Sequence, residues 1–448
     1  MKSRLAEFKI NSLFGLYDHR IALNLKEHIT IIIGPNGRGK TVCLKLIEAL
    51  FRKKFSYFVD IPFKSAEFVF TDGEIIIVER MPSGDSPDSF DYSVSLTLTA
   101  PSQPPLMWTP GTVDNKVLRE LRRYIPRYWV QMEADLWVDE RDGEELTFAE
   151  LVEREHIPPK LSSTLEQKIP EEFSRLIGNI DCHLIETQRL LVLPTSSASE
   201  EELRYGVVRQ RLRGSTLAIQ QKAQKLKTIL KDTLGTYANL SQSLDRTFPL
   251  RVFEAQGTAN LSQSELREEL KKLDKRREDL MSAGILDTEY QPVTMHGGDI
   301  EPGVAMALEI YVKDAIKKLD VFNSLLSRLD LFGELIKKRF IDKTLHIDRE
   351  SGFKIISKTR MPIPLDKLSS GEQHQLILIF DLLFEVTADS LILIDEPELS
   401  LHVAWQKTFI ESLTRIIALN SFDVLLATHS PAVVARHFKL AVELGPVE

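Results

Sequence analysis

Five consecutive apolar or β-branched residues, Ile29-Thr30-Ile31-Ile32-Ile33, stand near the start of the chain. A run of this kind predicts a strand covered on both faces. After a glycine-rich break, Val42, Leu44, Leu46, Ile47, Ala49 and Leu50 recur at helical spacing. The same buried-strand pattern returns at Leu391–Ile394 and Val424–Thr428, and with one polar interruption at 183–193. Residues 5–33 read as two or three strands with a turn near Tyr17-Asp18-His19-Arg20. Glu67–Phe70 and Glu74–Val78 read as a hairpin across Thr71-Asp72-Gly73. Tyr92–Leu98 alternates, whereas prolines through 81–111 predict a loop-rich excursion. Asn115–Tyr124 predicts a helix, and an acidic stretch follows over Glu133–Glu155.

The middle of the chain changes period. From Ser199 to about Leu244, Ile219, Ala223, Leu226 and Leu230 recur at spacings of four and three, a coiled-coil-like seam. Gly235 is a candidate kink. Ser199-x-x-Glu202 and Ser262-x-x-Glu265 are capping boxes, the second opening a helix with Leu266, Leu270, Leu273 and Leu280 on one stripe. A single long helix is predicted from Val304 to Ile341, which at 1.5 Å per residue would reach on the order of 55 Å. Residues 344–360 return to strand character, and helices are predicted over Gln375–Val386 and about Val403–Ala418. The expected fold is therefore α/β. An N-terminal lobe (1–195, with an insertion at about 100–165) and a C-terminal lobe (344–448) form one head, interrupted by an antiparallel helical arm (196–343).

Composition narrows this little. A net charge of −8 argues against a protein coated in nucleic acid. Lys222, Lys225, Lys227 and Lys231, or Lys271, Lys272, Arg276 and Arg277, offer local basic faces or ordinary solvated ones. The two cysteines, Cys43 and Cys182, form no disulfide framework, so a reducing cytoplasm is expected. No secretory core begins the sequence. The best apolar run, Leu376–Val386, carries Asp381 and Glu385 and falls short of the roughly 18 residues a span needs, so no membrane association is expected.

The chemistry lies between the elements. Gly34-Pro35-Asn36-Gly37-Arg38-Gly39-Lys40-Thr41 fits G-x-x-x-x-G-K-[ST] and sits between strand and helix, the context in which backbone N–H groups cradle phosphates. Lys40 would neutralise the β- and γ-phosphates of ATP, and the Thr41 hydroxyl would ligate Mg²⁺. Strand 391–394 ends in Asp395 and Glu396, acids suited to holding the metal and to deprotonating an attacking water.

Leu368-Ser369-Ser370-Gly371-Glu372-Gln373 resembles the signature of ATP-binding-cassette ATPases, with Ser370 in place of the first glycine of the usual pair. That resemblance implies a P-loop NTPase of this type, whose Ser369, Ser370, Gly371 and Glu372 contact the γ-phosphate held by another subunit. It also implies Gln188 as the glutamine reaching Mg²⁺ and the water, although Thr187-Gln188-Arg189 also reads as a polar strand end. Glu398–His402 then occupies the D-loop position, and His429 is the histidine that contacts the γ-phosphate. Phe14 and Tyr17 sit where some ATPases stack adenine, or are strand core.

The roughly 180 residues between Gln188 and Leu368 resemble the insertion of structural-maintenance-of-chromosomes and double-strand-break-repair ATPases. Asp395-Glu396-Pro397-Glu398-Leu399-Ser400-Leu401-His402 is closer to the overcoming-lysogenisation-defect (OLD) branch (the AAA_15/AAA_21 group), with Val403 where that branch has proline. With only a short run after His429, the nuclease domain of OLD proteins is expected to be missing. The resemblance thus implies a stand-alone ATPase of bacterial anti-phage defence: a homo-oligomer acting with a separately encoded Toprim-like nuclease and triggered by a phage protein. A DNA-repair ATPase that binds duplex DNA is the alternative. A transporter cassette is a third, unsupported by so long an insertion.

Overall fold

A computed structural model describes residues 3–82, 92–101, 103–110, 169–186, 200–255, 261–286, 300–401 and 403–445, with short pieces between 124 and 155. In chain order the elements are β1 (Leu5–Leu13), β2 (Tyr17–Ala22), β3 (Ile29–Ile33), α1 (Lys40–Phe51), α2 (Ser56–Asp60), β4 (Ser65–Phe70), β5 (Ile75–Pro82), β6 (Tyr92–Thr99), β7 (Leu106–Trp108), β8 (Trp129–Glu133), β9 (Leu136–Asp139), β10 (Glu145–Thr147), α3 (Glu171–Gly178) and β11 (Cys182–Glu186). There follow α4 (Glu200–Glu254), α5 (Gln263–Ser282), α6 (Pro302–Asp320), α7 (Asn323–Arg339), β12 (Lys343–Asp348), β13 (Gly352–Ser357), β14 (Pro362–Ile363) and α8 (Ser370–Phe380). The chain ends with β15 (Leu391–Asp395), α9 (Val403–Gln406), α10 (Phe409–Asn420), β16 (Asp423–Ala427), α11 (Pro431–Val434) and β17 (Ala441–Glu443). Two compact units result, one of 1–214 with 386–448, the other of 215–385.

The first unit holds a five-stranded parallel sheet in the order β11-β15-β16-β3-β17 and a six-stranded antiparallel sheet in the order β2-β1-β4-β5-β6-β7. α1 shares one core with both. Leu44, Ile47 and Leu50 from the helix cluster with Phe8 and Phe68 of the antiparallel sheet and Leu393 and Leu425 of the parallel one. Register aligns the parallel strands at their carboxyl ends, pairing Asp395 with Ala427 and Ala427 with Ile32. Everything that follows these strands therefore emerges on one rim.

Several expected boundaries move. The first turn is at 14–16, and Tyr17–Arg20 opens β2 instead of forming the turn. The alternation at Tyr92–Leu98 forms β6 beside the predicted hairpin, and β7, within the proline-rich excursion, extends the antiparallel sheet one strand further. The acidic stretch supplies β9 and β10 of a small antiparallel sheet, β10-β9-β8, and the Trp129 indole of β8 donates to Glu155 at 2.8 Å. The predicted helix at 115–124 lies outside the described residues apart from Tyr124. The helix expected over 403–418 divides into α9 and α10.

The second unit corrects the helical arm most. α4 continues through Gly235 and Pro249 to Glu254. Ser199 lies outside the described residues. The seam Ile219, Ala223, Leu226 and Leu230 is buried. At Ala223 the helix meets the β12–β13 hairpin. Gly352 (φ +75°) is so close to α4 that a Cβ there would fall 1.9 Å from the Ala223 carbonyl oxygen. The Ser262 capping box forms as predicted. The single helix expected over 304–341 is two, α6 and α7. At the break Phe322 donates to Leu319 three residues back, and its buried ring lies 5.1 Å from Tyr237. Arg276 bridges the two helices, donating to Asp320 and Asn323. Residues 344–385 group with these helices, not with a separate C-terminal lobe.

The segment after α8 is a π-helical turn, Asp381–Glu385, where Lys222 of α4 reaches Asp381 and Glu385 at 2.8 Å each. Burial raises the Asp381 pKa to about 7, Lys222 opposing and Glu385 adding to the rise. An unfolded aspartate ionises near pH 4. The native form therefore binds the proton more tightly between those values, and stability from this site falls as pH climbs through about 7. Denaturant unfolding of wild type and Asp381→Asn at pH 5 and pH 8 tests this. The wild type should lose about 2–3 kcal/mol more than the variant over that range; equal losses would place the proton elsewhere.

Candidate functional site

The site is built where β3, β15 and β16 end. The chain leaves β3 through Gly34–Gly39 and enters α1 at Lys40. Gly37 and Gly39 have φ of +81° and +85°, left-handed conformations that glycine adopts without Cβ strain. Gly39 also lies under Leu13, whose Cδ2 would be 2.5 Å from an added Cβ. The loop so formed turns back over Lys40, which is only 5% exposed. Its Nζ donates to the carbonyl oxygens of Gly34 (2.9 Å) and Pro35 (3.0 Å), and lies 3.4 Å from His429 Nδ1. Burial lowers the Lys40 pKa, while Glu396, Asp395 and Glu398 act to raise it.

Thr41 follows on the first turn of α1, and its hydroxyl donates to Asp395 Oδ2 at 2.9 Å. A hydroxyl and a carboxylate facing each other beside a buried ammonium fit an oxygen-ligated Mg²⁺ held next to a polyphosphate. Glu396 has left-handed backbone angles (φ 45°, ψ 54°) immediately before Pro397. For a side-chain-bearing residue such a conformation costs about 1–2 kcal/mol. The Glu396 N–H donates to Ala427 at 2.9 Å and pins it there. The carboxylate stands 3.7 Å from His429 Nε2, and both side chains are about one-third exposed (33% and 30%). Lys40, Thr41, Asp395, Glu396 and His429 are thus brought together at one rim of the sheet.

Other expected residues fall differently. Gln188 lies outside the described residues, as does His402. Ser369, Ser370, Gly371 and Glu372 belong to the other compact unit. They are the start of α8 itself, not a turn before it. Ser369 is the N-cap, accepting from the Glu372 N–H, while the Glu372 carboxylate accepts from the Ser369 N–H. Lys343 donates to both Glu372 oxygens (2.7 and 2.8 Å), so this carboxylate serves the cap and the lysine. Burial works against its ionisation, but these bonds lower its pKa below the ordinary glutamate value. The N-terminal N–H groups of α8 at Ser370 and Gly371 precede the first intrahelical bond and are the donors available there.

Sequence reasoning gave no role to His19. It is buried, and its Nε2 is 2.8 Å from the Arg38 carbonyl oxygen. Its ring stacks with Tyr17 (centroids 5.9 Å apart, planes at 10°), and the Arg38 guanidinium lies over the Tyr17 ring, 5.0 Å from its centroid. Tyr17 and His19 therefore brace the phosphate loop, while Phe14 of the preceding turn is 41% exposed. The period-2 alternation of β2 carries the signal for an inward His19, but not its loop partner. Among the described residues no cluster of histidine, cysteine and carboxylates forms a separate metal site.

Residues 260–435 match the AAA_21 family model, described as "AAA domain, putative AbiEii toxin, Type IV TA system". The matched span includes the α8 cap, Asp395, Glu396 and His429; the phosphate loop precedes it. This part of the chain is similar to an AAA-type ATPase domain. No curated protein matches. Among solved structures the chain is similar to the Smc head domain with an extended coiled coil bound to the C-terminal domain of ScpA, from Pyrococcus furiosus. That likeness has 13% identity and a TM-score of 0.34, covering 97% of this chain and 91% of that one. It is also similar to the SMC head domain from Thermotoga maritima at 12% identity and a TM-score of 0.32, covering 96% and 91%. No helix of the described residues is long and apolar enough to cross a membrane.

The two left-handed glycines differ in a way that unfolding experiments can read. Gly37 has nothing within 4 Å of an added Cβ, whereas Gly39 would meet Leu13. Gly37→Ala should cost about 1 kcal/mol, the backbone term alone. Gly39→Ala should cost about 2 kcal/mol or more, because Leu13 is fully buried and has nowhere to go. Equal losses would mean the loop relaxes away from β1.

Proposed function

We propose that this chain binds ATP with Mg²⁺ and hydrolyses it to ADP and phosphate. The observation that carries the reading is the buried Lys40 ammonium beside Asp395, Glu396 and Glu398, with Thr41 bonded to Asp395, at the aligned ends of three parallel strands. Backbone N–H groups of Gly34, Pro35's neighbours Asn36, Gly37 and Arg38, and Gly39 cradle the phosphates, and Lys40 leaves the Gly34 and Pro35 carbonyls to meet them. Thr41 and Asp395, with Gln188, would hold Mg²⁺, which would supply positive charge to neutralise the triphosphate. Glu396 takes a proton from the attacking water. The water oxygen bonds to the γ-phosphorus as the bond to the β-phosphate oxygen breaks, and ADP keeps that electron pair. His429 orients the transferred group by hydrogen bonding.

We extend the reading to an oligomer. Ser369, Ser370 and Gly371 of a second copy complete each site, and nucleotide controls closure of two heads. In such an assembly the chain acts as the sensor or scaffold of a bacterial anti-phage defence complex, similar to the AriA subunit of the PARIS system, governing a separate Toprim-type nuclease in response to a phage protein. The family description of the matched span, which names a toxin of a toxin–antitoxin system, is in keeping with a defence role. For the DNA-binding alternative, Lys222 is already paired with Asp381 and Glu385, and Arg276 with Asp320.

Two tests address this. Lys40→Ala should weaken ATP binding at least about tenfold, whereas Glu396→Ala should bind Mg-ATP normally and lose turnover by about 10²–10⁴-fold, the usual contribution of a general base. Normal phosphate release from Glu396→Ala would remove it from that role. For the shared site, Lys40→Ala and Gly371→Asp proteins, each inactive, are mixed. Recovery of a fraction of wild-type turnover is expected, since one composite site is then intact; no recovery would exclude a site made from two copies.

A further inference from the structure

Glu398 is the carboxylate that neither the metal nor the attacking water uses. It lies on the turn Pro397–Ser400 that follows Glu396 directly. Its Oε1 accepts from two consecutive backbone N–H groups, those of His429 (2.7 Å) and Ser430 (3.0 Å). Its Oε2 is buried and has no hydrogen-bond partner among the described residues. A second strut runs parallel to the first. Gln406 Nε2 donates to the carbonyl oxygens of Glu398 (3.3 Å) and Leu401 (3.2 Å), while Gln406 Oε1 accepts from the Ser430 hydroxyl at 2.7 Å. On its other side the Ser430 N–H also meets Thr428 Oγ1 at 3.0 Å, and Ser430 caps α11 through the Ala432 N–H.

We propose that Glu398 is a positioning residue that sets His429 for hydrolysis. A charged oxygen shared by two adjacent N–H groups fixes the peptide planes on both sides of the His429 α-carbon, and bonds to a carboxylate are among the stronger hydrogen bonds of a protein. With the backbone so held, the imidazole stands between the Lys40 ammonium and the Glu396 carboxylate, 3.4 Å from one and 3.7 Å from the other. The general base and the anchor of the histidine are thus two residues apart on one short turn. Displacement of that turn moves both Glu396 and His429, so the two groups enter or leave register together. This inference rests on the hydrolytic reading above, but the clamp itself is a property of the nucleotide-free protein.

The experiment separates the two. Amide exchange of nucleotide-free wild type, Glu398→Gln and Glu398→Ala is followed at His429 and Ser430, alongside kcat and KM for ATP, with Glu398→Ala also made in a His429→Ala background. Glutamine keeps the Oε1 acceptor, so Glu398→Gln should retain protection at both amides and stay within about threefold of wild-type kcat. Glu398→Ala should lose protection at those two amides by about tenfold or more and lower kcat by about tenfold with KM within about twofold. In the His429→Ala background it should lower kcat no further, because its effect passes through the histidine. Gln406→Ala, which cuts only the second strut, should move kcat the same way by less and serves if Glu398→Ala does not fold. The proposal is overturned if Glu398→Gln is as impaired as Glu398→Ala, or if Glu398→Ala retains wild-type kcat. An equal kcat penalty with and without His429 would overturn it too. Absence of turnover in wild type, with the exchange pattern as expected, would sink the hydrolytic reading and leave the clamp standing.

Discussion

Shutting the Lys40 ammonium away from water is the electrostatic cost around which the phosphate-loop rim is arranged. An ammonium removed from solvent must be hydrogen-bonded and paired or give up its proton. Here two loop carbonyls take its donors and three carboxylates hold its charge. The carbonyls exist at that place because Gly34–Gly39 curls back on itself. The carboxylates exist there because β15 and β16 end level with β3. A register slip of one residue along β15 would carry Asp395 to the opposite face and leave the lysine to neutralise. The cation is thereby kept charged and poorly solvated, the state in which it gains most from a polyphosphate.

The same rim explains where strain is tolerated. Glu396 holds a left-handed conformation in front of a proline, and the Ala427 carbonyl keeps it there. One hydrogen bond from the neighbouring strand therefore sets the direction of the proposed base. In the unit of 215–385 a different constraint governs. Gly352 lets the β12–β13 hairpin touch the α4 backbone, and Lys222 ties α4 to the π-helical turn after α8. The cap of α8 is fixed in turn by Lys343 through Glu372.

What the sequence disclosed follows from how local each signal is. The glycine-rich turn after β3, the strand ending at Asp395 and the Ser262 cap each occupy a few adjacent residues, whereas the Ser369 cap was hidden behind its resemblance to a nucleotide-binding signature. The seam at Ile219–Leu230 was legible as apolar, but its partner was not, because a heptad-like stripe is equally satisfied by a helix or by a hairpin that carries a glycine at the contact. The α6–α7 break was invisible because Phe322 continues the apolar stripe; only its ring contact with Tyr237 shows why the helix tightens there. His19 and Glu398 were missed for one reason: each acts on a backbone group distant in sequence, and a backbone partner leaves no mark in residue types.

The central claim is that Lys40, Thr41, Asp395 and Glu396 surround the terminal phosphates of one Mg-nucleotide. A crystal structure with Mg²⁺ and a non-hydrolysable ATP analogue tests it most directly. The account predicts Lys40 Nζ released from the Gly34 and Pro35 carbonyls and bonded to phosphate oxygens, with Mg²⁺ on Thr41 Oγ1 in place of its bond to Asp395. A nucleotide seated away from residues 34–41, or Lys40 still on its two carbonyls beside a bound nucleotide, would contradict it.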